Sequence, residues 1–222
     1  DFSIIRKSQH DLHLLEALLF GQAGLLETEA QDIYIAELKN SYEFLKHKFS
    51  VSIEGVLPVQ FFRLRPPNFP TIRLAQFAGL YSRSLKLFSS VIDAQSIEQL
   101  YTIFEGGTSK FWDTHYTFDK TSKSSPKTLT KAFINLIIIN TIVPVKFAFN
   151  KYNRHSNQED ILSIVRKIPM EHNSVVDKFH SLYSFDKTAL ESQSLIQLKQ
   201  KYCSKNKCLQ CAIGSALLNR NS

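Results

Sequence analysis

The sequence predicts an all-α fold: one multi-helix globular domain with at most one short strand pair. Three observations predict it. Apolar residues recur in steps of three and four along residues 12–218. Pro, Asn and Thr stand where helix first turns and caps favour them. Period-two alternation is confined to residues 49–59, where Gly55 and Pro58 interrupt it. At 222 residues, 43% hydrophobic and 21% charged, the chain can bury a core without disulfides or metal.

Taken in order, the Gly21-Gln-Ala-Gly24 segment reverses the chain between two helices. It follows a helix rather than a strand, and no Gly-Lys-Ser/Thr follows, so it is not a phosphate loop. Ile35, Leu38, Tyr42, Leu45 and Phe49 form the apolar face of a long helix beginning near Glu27. An extended connection or one short strand around residues 51–59 comes next. Pro70 then opens a helix whose stripe is Leu74, Ala78, Tyr81, Leu85 and Phe88. Gly106-Gly107 and residues 117–125 read as loops, the second a possible subdomain break. Trp112 and Tyr116 read as a core wedge, with His115 as a hydrogen-bonded support beside Asp113.

Ser125-Pro126 is expected to start the most apolar helix, with Leu129, Phe133, Leu136 and Ile137 on its buried side. Asn135 and Asn140 would tie that helix to loop backbone, because buried amides need partners. The apolar stretch 133–149 is broken by Asn135, Asn140, Pro144 and Lys146. It is shorter than the ~20 residues of a membrane span, so a central buried helix and no membrane partner are expected. Asn157 caps a segment whose Glu159 and Asp160 suit the positive end of a helix dipole, and Pro169 ends it. Asn173 and Thr188 cap two further helices. The sum is seven to nine helices, residues 1–222 forming one domain.

Charge and cysteine usage narrow the function classes. The formal net charge is +7 and the pI about 9.3, which admits an acidic partner such as nucleic acid. No arginine-rich run is present. The first residues have no signal-peptide pattern, and the first residue is not Met, as expected for a processed product or a fragment. Three cysteines, an odd number at one end, make no disulfide framework. A reducing, cytoplasmic compartment is the simplest expectation.

Two candidate sites emerge. Arg63, Arg65 and Arg73 flank Pro66-Pro67-Asn68-Phe69-Pro70. The prolines stiffen this loop, which presents Asn68 or Phe69 to a partner, and the guanidiniums beside Phe61, Phe62 and Phe69 suit phosphate contact with base stacking. The same residues also suit a helix-entry loop with aromatic core anchors and a structural arginine. The second candidate is Cys203-x4-Cys208-x2-Cys211 among Lys199, Lys201, Lys205 and Lys207. It is three-quarters of a zinc or iron–sulfur site, a redox-sensitive turn, or a set of plain reduced thiols. His172 or His180 would have to supply a fourth ligand. The expectation is no metal or other cofactor, partly buried thiols, and a turn held by Leu209, Ile213 and Leu217. His10, His13 and Glu16 share one helix face, but histidines in a first turn are read as solvated.

Four segments look too particular to be core filler: residues 15–26, 65–76, 138–144 and 192–214. Together they resemble a bacterial family of uncharacterised proteins, domain of unknown function 2851. The resemblance runs to about Leu218 and implies the carboxy-terminal half of proteins about twice as long. It implies no catalytic residue. The cysteines alone resemble the iron–sulfur loop of helix-hairpin-helix DNA glycosylases, but the fourth cysteine's place is taken by Leu217 and Leu218. With no complete nucleophile, metal or cofactor constellation, the preferred expectation is a non-catalytic helical domain. It would dock another macromolecule or another domain of its parent protein. The alternative is a nucleic-acid-binding or processing accessory domain; an enzyme with an unfamiliar site ranks last.

Overall fold

The structure is a computed structural model that describes residues 2–8, 10–27, 32–154 and 158–219. It is mostly helical, and its one sheet among the described residues is a two-stranded hairpin. The chain divides into two compact units, one of Asp1–Asp93 and Tyr101–Ile134, the other of Ala94–Leu100 and Asn135–Ser222. Residues 117–125, the expected break, lie inside the first unit.

In the first unit, α1 (Phe2–Ser8) precedes α2 (Leu12–Gln22), which packs on α3 (Ile33–Phe49) and α4 (Pro70–Arg83). Asp11 caps α2 by accepting from the His13 and Leu14 amides at 2.8 and 3.2 Å. Gly24, at φ +68, closes the same helix. Leu25 N–H donates to Phe20 O and Gly24 N–H to Gly21 O, a pair of bonds that needs a left-handed residue and so favours glycine. Asp32 caps α3 at 2.7 Å, so the helix starts at Ile33 rather than near Glu27. Its predicted stripe holds: Ile35, Leu38, Tyr42 and Leu45 are buried, and Phe49 packs partly against the core. Phe20, Leu38, Ile72, Ala75 and Trp112 centre that core, with the Phe20 and Trp112 rings 5.3 Å apart.

The α4 stripe is displaced from the expected one. Thr71, Ile72, Ala75, Gln76, Ala78, Gly79 and Leu80 are buried, whereas Leu74 is half-buried. The helix stops at Arg83, so Leu85 and Phe88 lie beyond it, and both are exposed. Small residues form the packed face because backbone approaches there: a Cβ on Gly79 would stand 2.2 Å from Gly107 O. The short helices α5 (Leu87–Asp93) and α6 (Ile97–Phe104) follow.

No strand forms at residues 51–59. The hairpin lies instead at β1 (His115–Thr117) and β2 (Lys120–Thr121), running from the expected core wedge at Tyr116 into the stretch read as loop. Phe118 at its tip packs edge-on against Phe20 at 5.2 Å, so tertiary burial selects this pairing. Trp112 is fully buried. His115 Nδ1 lies 2.9 Å from Phe111 O, the supporting role expected of it.

Ser125-Pro126 does not open a helix; residues 122–130 form neither helix nor strand up to α7 (Lys131–Ile137). Tertiary bonds account for this. Gln76 Nε2 donates to Lys127 O at 3.1 Å. The buried Lys127 ammonium donates to Asp113 O and Ser125 O at 3.2 and 3.0 Å. Thr130 then caps α7, accepting from Phe133 N–H at 3.2 Å. A π-turn (Ile138–Ile142) joins α7 to α8 (Val143–Tyr152).

The run Lys131–Tyr152 is 22 residues long with mean hydropathy 1.9 and 22% of its window buried. By length and composition it reaches what a membrane span requires, which the shorter stretch 133–149 did not. Leu136 is exposed and Ile137 half-buried, against expectation; Ile134, Ile138, Ile139 and Ile142 are the buried members. Asn140 is exposed and donates to Leu136 O of its own helix at 2.9 Å, not to a loop.

The second unit continues with α9 (Gln158–Lys167), α10 (Ser174–Leu182), α11 (Ala189–Lys201) and α12 (Ala212–Asn219). The described helices exceed seven to nine because short ones separate where a single helix was counted. Ile138, Ile161, Ile164, Ile168, Val176 and Leu195 make the core. Lys146 is buried and donates to Ala94 O at 2.8 Å. The expected cap Asn157 lies outside the described residues. Asn173 caps α10, accepting from the Val175 and Val176 amides. Thr188 caps α11, accepting from Glu191 N–H at 3.4 Å. Bonds from Met170 N–H to Lys187 O and from Ala189 N–H to Ile168 O clamp the exit of α9 to the entry of α11.

Candidate functional site

The site begins where α3 stops. Ser50 turns left-handed at φ +50, and Val51 N–H donates to Lys46 O at 3.2 Å. Residues 51–65 then form neither helix nor strand, a length of irregular backbone that is uncommon without a function. Two turns shape it. Val56 N–H bonds Ile53 O around Gly55, and Leu64 N–H bonds Phe61 O at 3.2 Å around Phe62 and Arg63. Arg63 has φ +62, a conformation that costs a side-chain-bearing residue about 1–2 kcal/mol.

Anchoring and display are divided between neighbouring aromatics. Phe61 meets Phe69 edge-on at 5.2 Å, and Phe69 packs on the core. Phe62 is thereby turned outward, 77% exposed, and Leu57 is 84% exposed. Val56 and Leu64 are also exposed. Beside them lies a groove of about 370 Å³ lined by Gly24, Leu25, Ile53, Val56, Leu57 and Phe61. Val56 and Leu57 line the groove itself, while Phe62 and Leu64 lie further along the same loop.

The predicted basic residues separate into two kinds. Arg63 and Arg65 are exposed, the Arg63 guanidinium resting 5.0 Å from the Phe62 ring centre. Arg73 is engaged within the chain. Its Nη1 donates to Gln76 Oε1 at 2.8 Å, its Nη2 to Asn68 Oδ1 at 2.5 Å, and its Cζ stands 3.5 Å over Phe133. Burial draws its pKa below the usual arginine value. Asn68 therefore serves Arg73, inside the 3₁₀ turn Pro66–Asn68.

The sequence grouped Glu16 with His10 and His13 on one helix face, but not as a buried carboxyl; His10 in fact precedes α2. Glu16, 1% exposed, accepts from Tyr34 OH at 2.8 Å through Oε2. Trp112 Nε1–H donates to the same Tyr34 oxygen at 3.2 Å. Burial raises the Glu16 pKa above its ordinary value, and the hydrogen bond from Tyr34 offsets only part of the shift. Burial likewise raises the Tyr34 pKa. His13, at the start of α2, is half-buried, 3.1 Å from Ser41 Oγ, while His10 is exposed. A charged residue among apolar helix neighbours was the one available signal.

In the second unit, Cys203 stands just past α11 in the 3₁₀ turn Cys203–Lys205, and Cys208 opens the turn Cys208–Gln210 before α12. All three cysteines are free thiols, Cys203 and Cys208 exposed and Cys211 half-buried. They line one apolar hollow of about 200 Å³ with Phe179, Leu198 and Tyr202 among its walls. Leu209, Ile213 and Leu217 are 81%, 57% and 58% exposed, so they do not hold the turn as a packed core. Neither His172 nor His180 lines the hollow. Among the described residues no group of three His, Cys, Asp or Glu is placed to hold a metal ion. Lys199, Lys201, Lys205 and Lys207 are exposed. They belong to the second unit, the arginine loop to the first.

No curated protein and no solved structure matches the chain. The model of a family described as "Protein of unknown function (DUF2851)" matches residues 1–174. The match includes the loop and its groove and ends before the cysteine turn, whereas the sequence resemblance ran to about Leu218. Covering most of the 222 residues, it shows that the chain belongs to this family of proteins of unknown function.

Proposed function

We propose that the chain is a non-catalytic docking domain that receives an apolar polypeptide segment along residues 51–65. The segment belongs to another protein or to another domain of its parent. The observation that carries the reading is the display of Leu57 and Phe62 on an anchored loop beside a groove. A large aromatic held outward at a left-handed turn contributes contact area at small ordering cost, as interface hot spots do. Exposed Arg63 and Arg65 favour acidic residues flanking the apolar segment.

The test is a peptide-display selection against the intact chain, followed by affinity measurement on the selected peptides. Phe62→Ser and Leu57→Ser should each weaken binding by about tenfold or more, as loss of a hot spot does, with the thermal midpoint unchanged. Equal affinities for wild type and both variants would refute the assignment.

A nucleic-acid reading rests on a different observation, the Arg63 guanidinium against the exposed Phe62 ring, a pairing that suits phosphate contact with base stacking. It predicts weak, sequence-independent and salt-sensitive binding. Labelled single- and double-stranded DNA and RNA, titrated at low salt, separate the readings. Binding that Phe62→Ser abolishes favours nucleic acid, and no binding removes it.

A further inference from the structure

The Cys203-x4-Cys208-x2-Cys211 turn takes no part in the docking loop, and its geometry carries a separate chemistry. Cys211 N–H donates to Cys208 O at 3.2 Å, closing the turn Cys208–Gln210. In such a turn the side chains three residues apart eclipse. A hydrogen-bonded reverse turn also holds its end Cα atoms within about 7 Å, the range a disulfide spans. Both thiols line the same hollow. The turn is also held from outside. Lys207 N–H donates to Tyr202 O at 3.0 Å and Asn206 N–H to Cys203 O at 3.2 Å. Gly214 of α12 lies so close that a Cβ there would come 2.3 Å from Cys208 O.

We propose that Cys208 and Cys211 form a reversible dithiol–disulfide pair, a redox modification site in the second unit. The oxidant class is a low-molecular-weight disulfide. Exposed Cys208 attacks first as its thiolate. One small-molecule S–S bond breaks, one Cys208–S bond forms, and one small thiolate leaves and is protonated. The Cys211 thiolate then attacks the Cys208 sulfur, closing the internal disulfide and expelling the second small thiol. The two protein thiols lose two electrons, the small disulfide gains them, and the two thiol protons end on the two released thiols. Closure covalently fixes the turn on which α12 rests. Cys203 also lines the hollow and is not needed for the pair.

The experiment equilibrates the intact chain in mixtures of oxidised and reduced glutathione, quenches with acid and reads products by mass spectrometry. Wild type and Cys203→Ser should both yield a species lighter by two hydrogens, with the link inside the tryptic peptide that starts at Cys208. Cys208→Ser and Cys211→Ser should give no such link and should carry glutathione on the remaining partner. Because the folded turn preorganises the pair, its equilibrium constant with glutathione should fall by about tenfold in 8 M urea, roughly 30 mV for a two-electron couple. Glutathione adducts without an internal link, a link that runs through Cys203, or an equal constant in urea would each overturn the proposal. Circular dichroism of the serine variants confirms that the readout comes from folded protein.

Discussion

Removing the Arg73 side chain tests whether it belongs to the scaffold or to the partner surface. Arg73→Ala removes two hydrogen bonds and a cation–π contact with Phe133. The contact alone contributes about 0.5–2 kcal/mol. Gln76 is 8% exposed, and its Oε1 would lose the Arg73 donor while its amide stays on Lys127 O. A buried acceptor left without a partner costs about 1–3 kcal/mol. Because Arg73 is only half-buried, the expected total is about 2–3 kcal/mol, below the sum of the upper limits. Urea unfolding followed by Trp112 fluorescence measures it, since Trp112 is the only tryptophan and is buried in the first unit. Arg73→Lys keeps the charge but not the planar fork, and should recover less than half. Ile72→Ala, at a residue 1% exposed, should cost about 2–5 kcal/mol, and half-buried Leu74→Ala less. Peptide affinity at the loop should be the same in Arg73→Ala as in wild type. A stability loss below about 0.5 kcal/mol, the level of ordinary surface substitutions, would refute the reasoning and return Arg73 to the partner surface.

Glu16→Gln should change how stability depends on pH. The folded-state pKa of Glu16 lies above its ordinary value, so the wild type loses stability as pH rises from about 4.5 through that raised value, by up to about 1.4 kcal/mol per pH unit. The glutamine variant should lack this component, matching wild type in acid and exceeding it at neutral pH in urea midpoints. A variant that tracks wild type across the whole range would show that burial does not raise the Glu16 pKa. Gly79→Ala should destabilise by about 1–3 kcal/mol, the cost of overpacking a tight contact, because the new methyl meets Gly107 O; an unchanged midpoint would contradict this. Arg63→Gly should raise stability by about 1 kcal/mol by relieving the left-handed backbone while weakening peptide binding. No gain in stability would contradict the strain argument, and unchanged binding would remove Arg63 from the partner surface.

Local rules were legible in the sequence, and tertiary ones were not. The caps Asn173 and Thr188 and the α3 stripe were readable because each is decided within a turn or two of its own residues. The phase of α4 was not, because its buried face is built from Ala75, Ala78 and Gly79, which carry a weak hydrophobic signal. In the Lys131–Tyr152 run the apolar residues lie on all sides, so nothing in the pattern marks Ile134 and Ile138 as buried and Leu136 as exposed. The helix expected at Ser125-Pro126 fails because Gln76 and Lys127, distant from each other in sequence, claim that backbone. Gly55 and Pro58 marked the interruption at residues 51–59, but the sequence left an extended connection or one short strand open there, and the irregular run on to residue 65 was not read. Which arginines face outward was not legible either, since only folding brings Phe133 over Arg73. That the cysteines fall between two helices followed from their spacing; the two 3₁₀ turns that hold Cys203 and Cys208 did not. The exposure of Leu209, Ile213 and Leu217 did not, because apolar residues at a surface read the same as apolar residues in a core.

Docking along the 51–65 loop is tested most directly by amide hydrogen exchange of the wild-type chain with and without a saturating display-selected peptide. Protection should concentrate in residues 51–65 and in the groove-lining Gly24 and Leu25, and Phe62→Ser should reduce it at the same peptide concentration. Protection that leaves this loop unchanged and falls instead on residues 199–211 would contradict the account.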